Sequence, residues 1–236
     1  RAKGRLEREH AEYEAKMDKR KAKQASTGKK PGGKPPKPPQ TGPQAEDQIN
    51  LTDEDSRIMK VAGGGFEQCY NAQAVVDTES MLVVAPHITT AGNDKEQVAP
   101  MLECIQALPD GLNQPARLLA DTGFYSERNV QHCHDAGVEP LIAVGRDAHH
   151  PDWRSRFEEP APLATPTSHV EQMKHALKTQ TGRAAYALRK QTVEPVFGII
   201  KSVMGFRQFL LRGVGNVRNE WTLVCLAWNF KRMAVL

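Results

Sequence analysis

Three acidic side chains stand at positions where they can act together on phosphate chemistry. Asp77 ends the apolar run AQAVVD, Asp121 ends the run ARLLAD, and Glu194 lies in the string YALRKQTVEPVFGIIK. Carboxylate oxygens are the ligands that hard divalent cations prefer, and a pair of such cations supports the cleavage and rejoining of phosphodiesters. The pattern therefore indicates a metal-dependent site for phosphoryl transfer.

Each of the three also has an ordinary structural interpretation when it is taken alone. Asp77 opens the sequence Asp-Thr-Glu-Ser, which is common turn chemistry, and Asp121 is suited to capping the turn that follows it. Glu194 suits a helix start, where the helix dipole favours a carboxylate. The metal hypothesis therefore depends on the combination and on the elements that position it.

The element before Asp77 is predicted to be one strand of a hairpin. Two apolar, β-branched runs, 70–77 and 81–88, are separated by a short polar turn at 78–80. A helix follows, since apolar residues recur at helical spacing from Val98, and we expect Asn93 or Asp94 to cap it.

The element before Asp121 is predicted to belong to a parallel portion of sheet. The run 117–121 predicts a short buried strand, Ser126 caps a helix that Gly137 ends, and 138–144 predicts another buried strand. Buried strands that alternate with helices favour a parallel sheet covered by helices.

Glu194 is predicted to lie at the mouth of a late helix. Pro195 follows it directly, and proline is tolerated best at the first helical position. Lys201 then lies two turns further along nearly the same face. A last helix, with Asn216 as its predicted cap, contains Trp221 and Trp228 on one face.

Two strand-end aspartates and a helix glutamate match the ribonuclease-H-like plan, in which three carboxylates converge on one spot. We therefore expect an α/β fold with a ribonuclease-H-like mixed sheet flanked by helices. The domain should occupy 49–236 and include an irregular insertion at about 145–182, before the last catalytic helix. Residues 1–25 read as a basic charged helix or tail, and 26–48 as a linker rich in Pro, Gly and Lys. Because the chain begins with Arg1, we expect it to be a piece of a longer protein.

The charge of the 236-residue chain is unevenly distributed. Residues 1–40 contain thirteen Lys or Arg and five Asp or Glu, and residues 189–236 contain eight and two, whereas the whole chain has a net charge of only +4. This asymmetry indicates a polyanionic partner at both ends with an acidic pocket between them, and its alternative interpretation is a solvated tail and ordinary surface charge. No apolar run is long enough for a membrane span, and the four scattered cysteines fit a reducing compartment.

The chain resembles the DDE transposases of bacterial insertion sequences, in the branch with a Tyr-Arg-Glu-Lys signature. The resemblance covers roughly residues 49–236. The strings that carry it are FEQCYNAQAVVD (66–77), GNDKEQVAPML (92–102), LLADTGFYS (118–126), VEPVFGIIK (193–201) and GFRQFLLRGVGNVRNEWTLVCLAWN (205–229).

The resemblance implies the catalysis, the cofactors and the partners. It implies a nuclease and strand transferase in which Asp77, Asp121 and Glu194 are catalytic and hold two magnesium ions, for which manganese can substitute. The implied partner is double-stranded DNA, as terminal inverted repeats and as target, bound by a homodimer assembled on DNA. The implied location is the cytoplasm, at the nucleoid.

The signature also implies a set of residues that contact DNA, namely Tyr186, Arg189, Lys190, Lys201, Arg207 and Arg212. The family spaces Arg and Glu by three residues, and here Lys190 rather than Arg189 has that spacing from Glu194. Either residue can therefore take the basic position. The alternative function is a non-catalytic DNA-binding remnant or a truncated, inactive fragment of a transposase.

Overall fold

The computed structural model describes residues 2–28, 32–42, 50–61, 63–145, 158–163 and 168–236. Parts of the predicted linker (29–31 and 43–48) and of the predicted insertion (146–157 and 164–167) lie outside these residues. The chain divides into two compact units, 1–49 and 50–236. In the first unit, α1 (Ala2–Thr27) is a charged helix, and the described residues after it, 32–42, have no regular structure.

The second unit combines short strands with helices. Its strands are β1 (Arg57–Lys60), β2 (Phe66–Cys69), β3 (Asn71–Val76), β4 (Val83–Thr89), β5 (Arg117–Ala120) and β6 (Glu139–Ile142). Its helices are α2 (Val98–Gln106), α3 (Glu127–Asp135), α4 (His169–Ala176), α5 (Gln180–Ser202) and α6 (Val214–Met233).

The predicted hairpin before and after Asp77 is present as the antiparallel pair β3–β4. The chain turns through 77–82, where the Asp77 N–H donates to the Leu82 carbonyl at 2.9 Å. A second hairpin, β1–β2, precedes it, and its end pair is Lys60 opposite Phe66.

The predicted parallel unit is β5–α3–β6. Strands β5 and β6 pair in parallel register, and Asp121 follows β5 directly. Ser126 caps α3 by accepting a hydrogen bond from the Asn129 N–H, and Gly137 follows the helix with φ +70°. A left-handed backbone of this kind favours glycine, which has no Cβ.

The described strands form three separate two-stranded sheets instead of one continuous mixed sheet. Asp77 and Asp121 therefore follow strands of different sheets. Helix α5 packs against both β3 and β5, and a cavity lies between those three elements. The unit is a mixed α/β structure with small sheets and helices.

Helix α5 corrects the prediction for Glu194. The helix runs through Pro195 without a break, so Pro195 does not begin it and Glu194 does not lie at its mouth. An internal proline costs about 3 kcal/mol, because it removes a donor and crowds the preceding turn. Val196 and Ile200, however, are 0% and 1% exposed. Burial of two such side chains contributes about 1.5–3 kcal/mol each, which offsets that cost.

Helix α6 fixes the β3–β4 hairpin through buried polar groups. The indole N–H of Trp221 donates to the Gln73 carbonyl, and that of Trp228 to the Met81 carbonyl, both at 2.9 Å. The Asn229 amide bonds both the N–H and the carbonyl of Val83. Helix α6 packs on β4 and α5 packs on β3, so the hairpin that leads to Asp77 is fixed to both helices.

Two predicted helix caps are wrong. Helix α2 begins after Gln97 with no side-chain cap, because Asp94 is bonded elsewhere, as described below. Helix α6 begins after Gly213, three residues before the predicted cap Asn216. The acceptors at that end are supplied instead by the carboxylates of Asp53 and Asp55, from a segment far away in sequence.

Candidate active site

A cavity of about 290 Å³ lies between β3, β5 and α5. Its walls are largely apolar. Polar residues from all sides also line it, namely Asn71, Gln73, Thr78, Asp94, Arg117, Asp121, Arg189 and Thr192. We call it the carboxylate pocket.

Asp121 is the predicted catalytic residue that lines this pocket. It follows β5 and caps a short 3₁₀ turn, Thr122–Phe124, by accepting a hydrogen bond from the Gly123 N–H at 2.8 Å. The buried Asn129 side chain donates to the Phe124 carbonyl at 2.6 Å and to the Lys95 carbonyl at 2.7 Å. The turn that carries Asp121 is thereby fixed to the loop before α2.

Asp94, in that loop, is a site residue that the sequence reasoning missed. Its Oδ1 accepts hydrogen bonds from the Asn71 amide at 2.8 Å and from the Gln73 amide at 2.7 Å. A Cβ placed on Gly123 would lie 3.5 Å from Asp94 Oδ2 and 3.0 Å from Asp121 Oδ1, so glycine there lets both carboxylates approach the turn. The available signal was the alternation of Asn71 and Gln73, which places two amides on one face of β3.

Asp77 lies beside the pocket and is bonded within its own turn. Its Oδ2 accepts hydrogen bonds from the Ser80 N–H at 2.7 Å and the Ser80 hydroxyl at 2.6 Å. Burial alone would raise the pKa of Asp77, but the hydrogen bonds from Ser80 and the turn backbone outweigh it and lower that pKa. The carboxylate is therefore ionised at neutral pH. Its neighbour Thr78, not Asp77 itself, lines the pocket.

Glu194 is held by Arg189 on the same helix. The Arg189 Nη2 lies 3.2 Å from Glu194 Oε1, and the side chains are 17% and 57% exposed. The Arg189 guanidinium also lies 5.7 Å from the centre of the Tyr186 ring, and its Nε is buried without a partner among the described residues. Of the two candidates for the basic signature position, Arg189 contacts the glutamate, whereas Lys190 is exposed on α5.

The other predicted DNA-binding residues line a second, larger cleft. Lys201, at the end of α5, and Arg207 and Arg212, in the segment before α6, all lie along it. The structure therefore divides the predicted DNA contacts into a group beside the carboxylate pocket and a group in this cleft.

The family model described as "Transposase DDE domain" matches residues 39–230. The chain belongs to this family. No curated protein and no solved structure matches the chain significantly.

Transposases of the DDE family generally use divalent metal ions, and the three predicted carboxylates have the oxygen donors that such ions prefer. In the part of the chain that the structure describes, however, no three or more His, Cys, Asp or Glu side chains are arranged to hold a metal ion. Asp77, Asp121 and Glu194 instead bond to Ser80, Gly123 and Arg189. The donor types fit the metal, whereas their present arrangement does not form a metal centre.

None of the described helices of this DDE-family chain combines the length and the apolar character that a membrane crossing requires.

Proposed function

We propose that this chain is the catalytic part of an insertion-sequence transposase of the Tyr-Arg-Glu-Lys branch. In this proposal it binds terminal inverted repeats, hydrolyses a strand at each transposon end and uses the exposed 3′-hydroxyl to attack target DNA. The observation that carries the proposal is the packing of α5 against both β3 and β5. The helix that bears Glu194 thereby contacts the two strands that directly precede Asp77 and Asp121, and of these three carboxylates Asp121 lines the pocket between the elements.

The three carboxylates are the proposed ligands of two magnesium ions, with manganese as a substitute. When bound, such ions supply activation of the attacking hydroxyl and stabilisation of the leaving oxygen. Without a cation, the three carboxylates repel one another, and each stays bonded to its own neighbour. Bringing them together around metal ions requires that Glu194 leave Arg189 and that Asp77 leave Ser80. We expect a ribonuclease-H-like arrangement of the three in the assembled complex.

Arg189 has a positioning role in this proposal. Its guanidinium holds Glu194 through the ion pair at Nη2 and so sets the direction of that carboxylate on the helix. Tyr186, stacked near that guanidinium, lies where it can contact the cleaved end. Lys190, exposed on the same helix, is a further proposed phosphate contact.

The full chain can be tested on a labelled duplex that carries the DNA flanking its own coding sequence. We expect nicks at the element ends in Mg²⁺ and none in EDTA or with Asp121→Asn. Binding without metal-dependent nicking would favour the alternative, a non-catalytic DNA-binding remnant. A homodimer assembled on DNA, as proposed, would appear as a complex with two copies of the chain per pair of ends.

A further inference from the structure

A cleft of about 860 Å³ lies between the β1–β2 hairpin and the segment 206–212. Asn71, Asp94 and Phe197 line both this cleft and the carboxylate pocket, so the two cavities adjoin. We call the larger cavity, of about 860 Å³, the basic cleft. A DNA strand that lies along the basic cleft would lead directly to the carboxylate pocket beside Asp121.

Four exposed cations line the basic cleft, and they come from both of its sides. Lys201, Arg207 and Arg212 lie on one side, and Lys60, from the end of β1, lies on the other. None of the four takes part in an ion pair among the described residues. Arg207 is anchored through its Nε, which donates to the Lys201 carbonyl at 3.3 Å, and the nearby Arg57 donates through Nη1 to the carbonyls of Glu54, Asp55 and Ser56.

Two of the three carboxylates that line the cleft are already satisfied by internal donors. Asp53 accepts hydrogen bonds from the Tyr70 hydroxyl at 2.8 Å and from the Gly213 N–H at 3.2 Å. Asp94 accepts the two amides described above. Glu67, exposed on β2, is the third. Four cationic and three anionic side chains therefore line the cleft, and in the part of the chain that the structure describes none of the cations is paired with one of these carboxylates.

Hydrogen bonds join the side of the cleft that carries Lys60 to the other side. Asp55 Oδ2 accepts a hydrogen bond from the Val214 N–H at 3.0 Å, next to the Asp53–Gly213 bond. At the base of the hairpin, the Ser56 hydroxyl bonds Gln68 Oε1 at 3.0 Å. These bonds join the base of the hairpin to the start of α6, so the backbone segments on the two sides of the cleft are held together before DNA binds.

We propose that the β1–β2 hairpin, through Lys60, and the segment 206–212 together bind the phosphate backbone of the duplex DNA that leads into the carboxylate pocket. Four separated cations along an open cleft suit a polymer with regularly spaced charges. A small anion would instead require several donors that converge on one point. This inference rests on the proposed function, and it adds to that function a DNA-contacting element outside the signature residues.

The test is equilibrium binding of the full chain to fluorescent duplexes, measured by anisotropy at several salt concentrations. One duplex carries the DNA flanking the coding sequence, and the other has an unrelated sequence. Lys60→Ala should weaken binding to both duplexes alike, by about three- to tenfold, and should reduce the slope of log affinity against log salt by about one. Lys60→Arg should keep the wild-type slope.

Lys174→Ala is the matched control, because Lys174 is exposed on α4 and does not line the cleft. A Lys60→Ala slope equal to that of wild type and of the control would overturn the inference. So would a loss of binding confined to one of the two duplexes, since phosphate contacts carry no sequence information. Circular dichroism of each variant verifies that the fold is retained.

Failure of this inference is distinguishable from failure of the proposed function. Metal-dependent nicking together with a salt slope insensitive to Lys60 would leave the function and refute the cleft. A slope that depends on Lys60, without nicking, would support the cleft and refute the catalytic proposal.

Discussion

At the scale of single residues, the site is a set of carboxylates that are each held by a neighbouring donor. Arg189 holds Glu194, Ser80 holds Asp77, and the turn backbone holds Asp121. Such local bonds keep uncompensated negative charges apart. Replacing such a carboxylate by the amide of the same shape removes its charge but keeps an oxygen that can accept the local hydrogen bond. The effect of the charge can therefore be measured apart from the effect on the fold.

Glu194→Gln should abolish strand cleavage while binding of end DNA stays within about twofold of wild type, because the amide retains the shape of the side chain and removes only the charge. Cleavage and anisotropy measurements on the same protein preparation test this. Glu103→Gln, at an exposed position of α2, is the control and should behave as wild type. Wild-type cleavage by Glu194→Gln would remove Glu194 from the catalytic set.

At the scale of elements, the start of α6 depends on a carboxylate from another segment. Burial opposes ionisation of Asp53, but hydrogen bonds from Tyr70 and from the backbone N–H groups of Asp55 and Gly213 outweigh it and lower the pKa of Asp53 below its ordinary value of 3.8. Because the pKa of Asp53 is lower in the folded state than in the unfolded state, its ionisation stabilises the fold at pH values above 3.8. This contribution to stability is lost as the pH falls through the lowered pKa.

Asp53→Asn should therefore reduce the free energy of unfolding by about 1 kcal/mol at neutral pH. The difference from wild type should shrink as the pH falls below 3.8 and through the lowered pKa, where the folded carboxylate itself becomes protonated. Denaturant titrations followed by tryptophan fluorescence, at neutral pH and below pH 3.8, measure the two free energies of unfolding. Glu96→Gln, at an exposed position, is the control. A difference that grows in acid would contradict the assignment.

The internal proline of α5 gives a second prediction at this scale. Pro195→Ala restores a backbone donor, so the free energy of unfolding should rise by about 1 kcal/mol or more. Thermal unfolding tests the change. A lower melting temperature would show that the helix around Glu194 requires the proline ring. Pro86→Ala would report the effect of removing a proline from a strand rather than from a helix.

Local patterns were sufficient to predict most elements from the sequence. The β3–β4 hairpin and the β5–α3–β6 unit with its Ser126 cap follow alternation and helical periodicity. The errors have tertiary causes. Pro195 is tolerated because Val196 and Ile200 are buried, and the α6 start is set by Asp53 and Asp55.

The candidate site was predictable only where local sequence patterns determine it. Asp121 lines the carboxylate pocket, as expected for a residue at a strand end. Asp94 was not found, because its role is set by hydrogen bonds from Asn71 and Gln73 on another strand. Lys60 was not found either, because only the folded hairpin places it across a cleft from Lys201.

At the scale of the whole molecule, positive charge is concentrated in the first forty residues and the last forty-eight, and the latter include three of the four cations of the basic cleft, Lys201, Arg207 and Arg212. Neutralising one phosphate contact should lower the salt slope of DNA binding by about one. We expect Lys201→Ala to do so equally for end and unrelated duplexes. An unchanged slope would indicate that Lys201 only packs against Phe197, 5.9 Å from its ring centre.

The central claim, that these carboxylates contact catalytic metal ions, is tested most directly by a metal-specificity switch at Asp121. Thiolates bind the softer Mn²⁺ better than Mg²⁺. The full chain with Asp121→Cys should fail to nick end DNA in Mg²⁺ and should regain nicking in Mn²⁺, whereas Asp121→Ala should be inactive in both. Asp135→Cys, at an exposed position of α3, should nick in either metal as wild type does. Wild-type nicking by Asp121→Cys or Asp121→Ala in Mg²⁺ would contradict the claim.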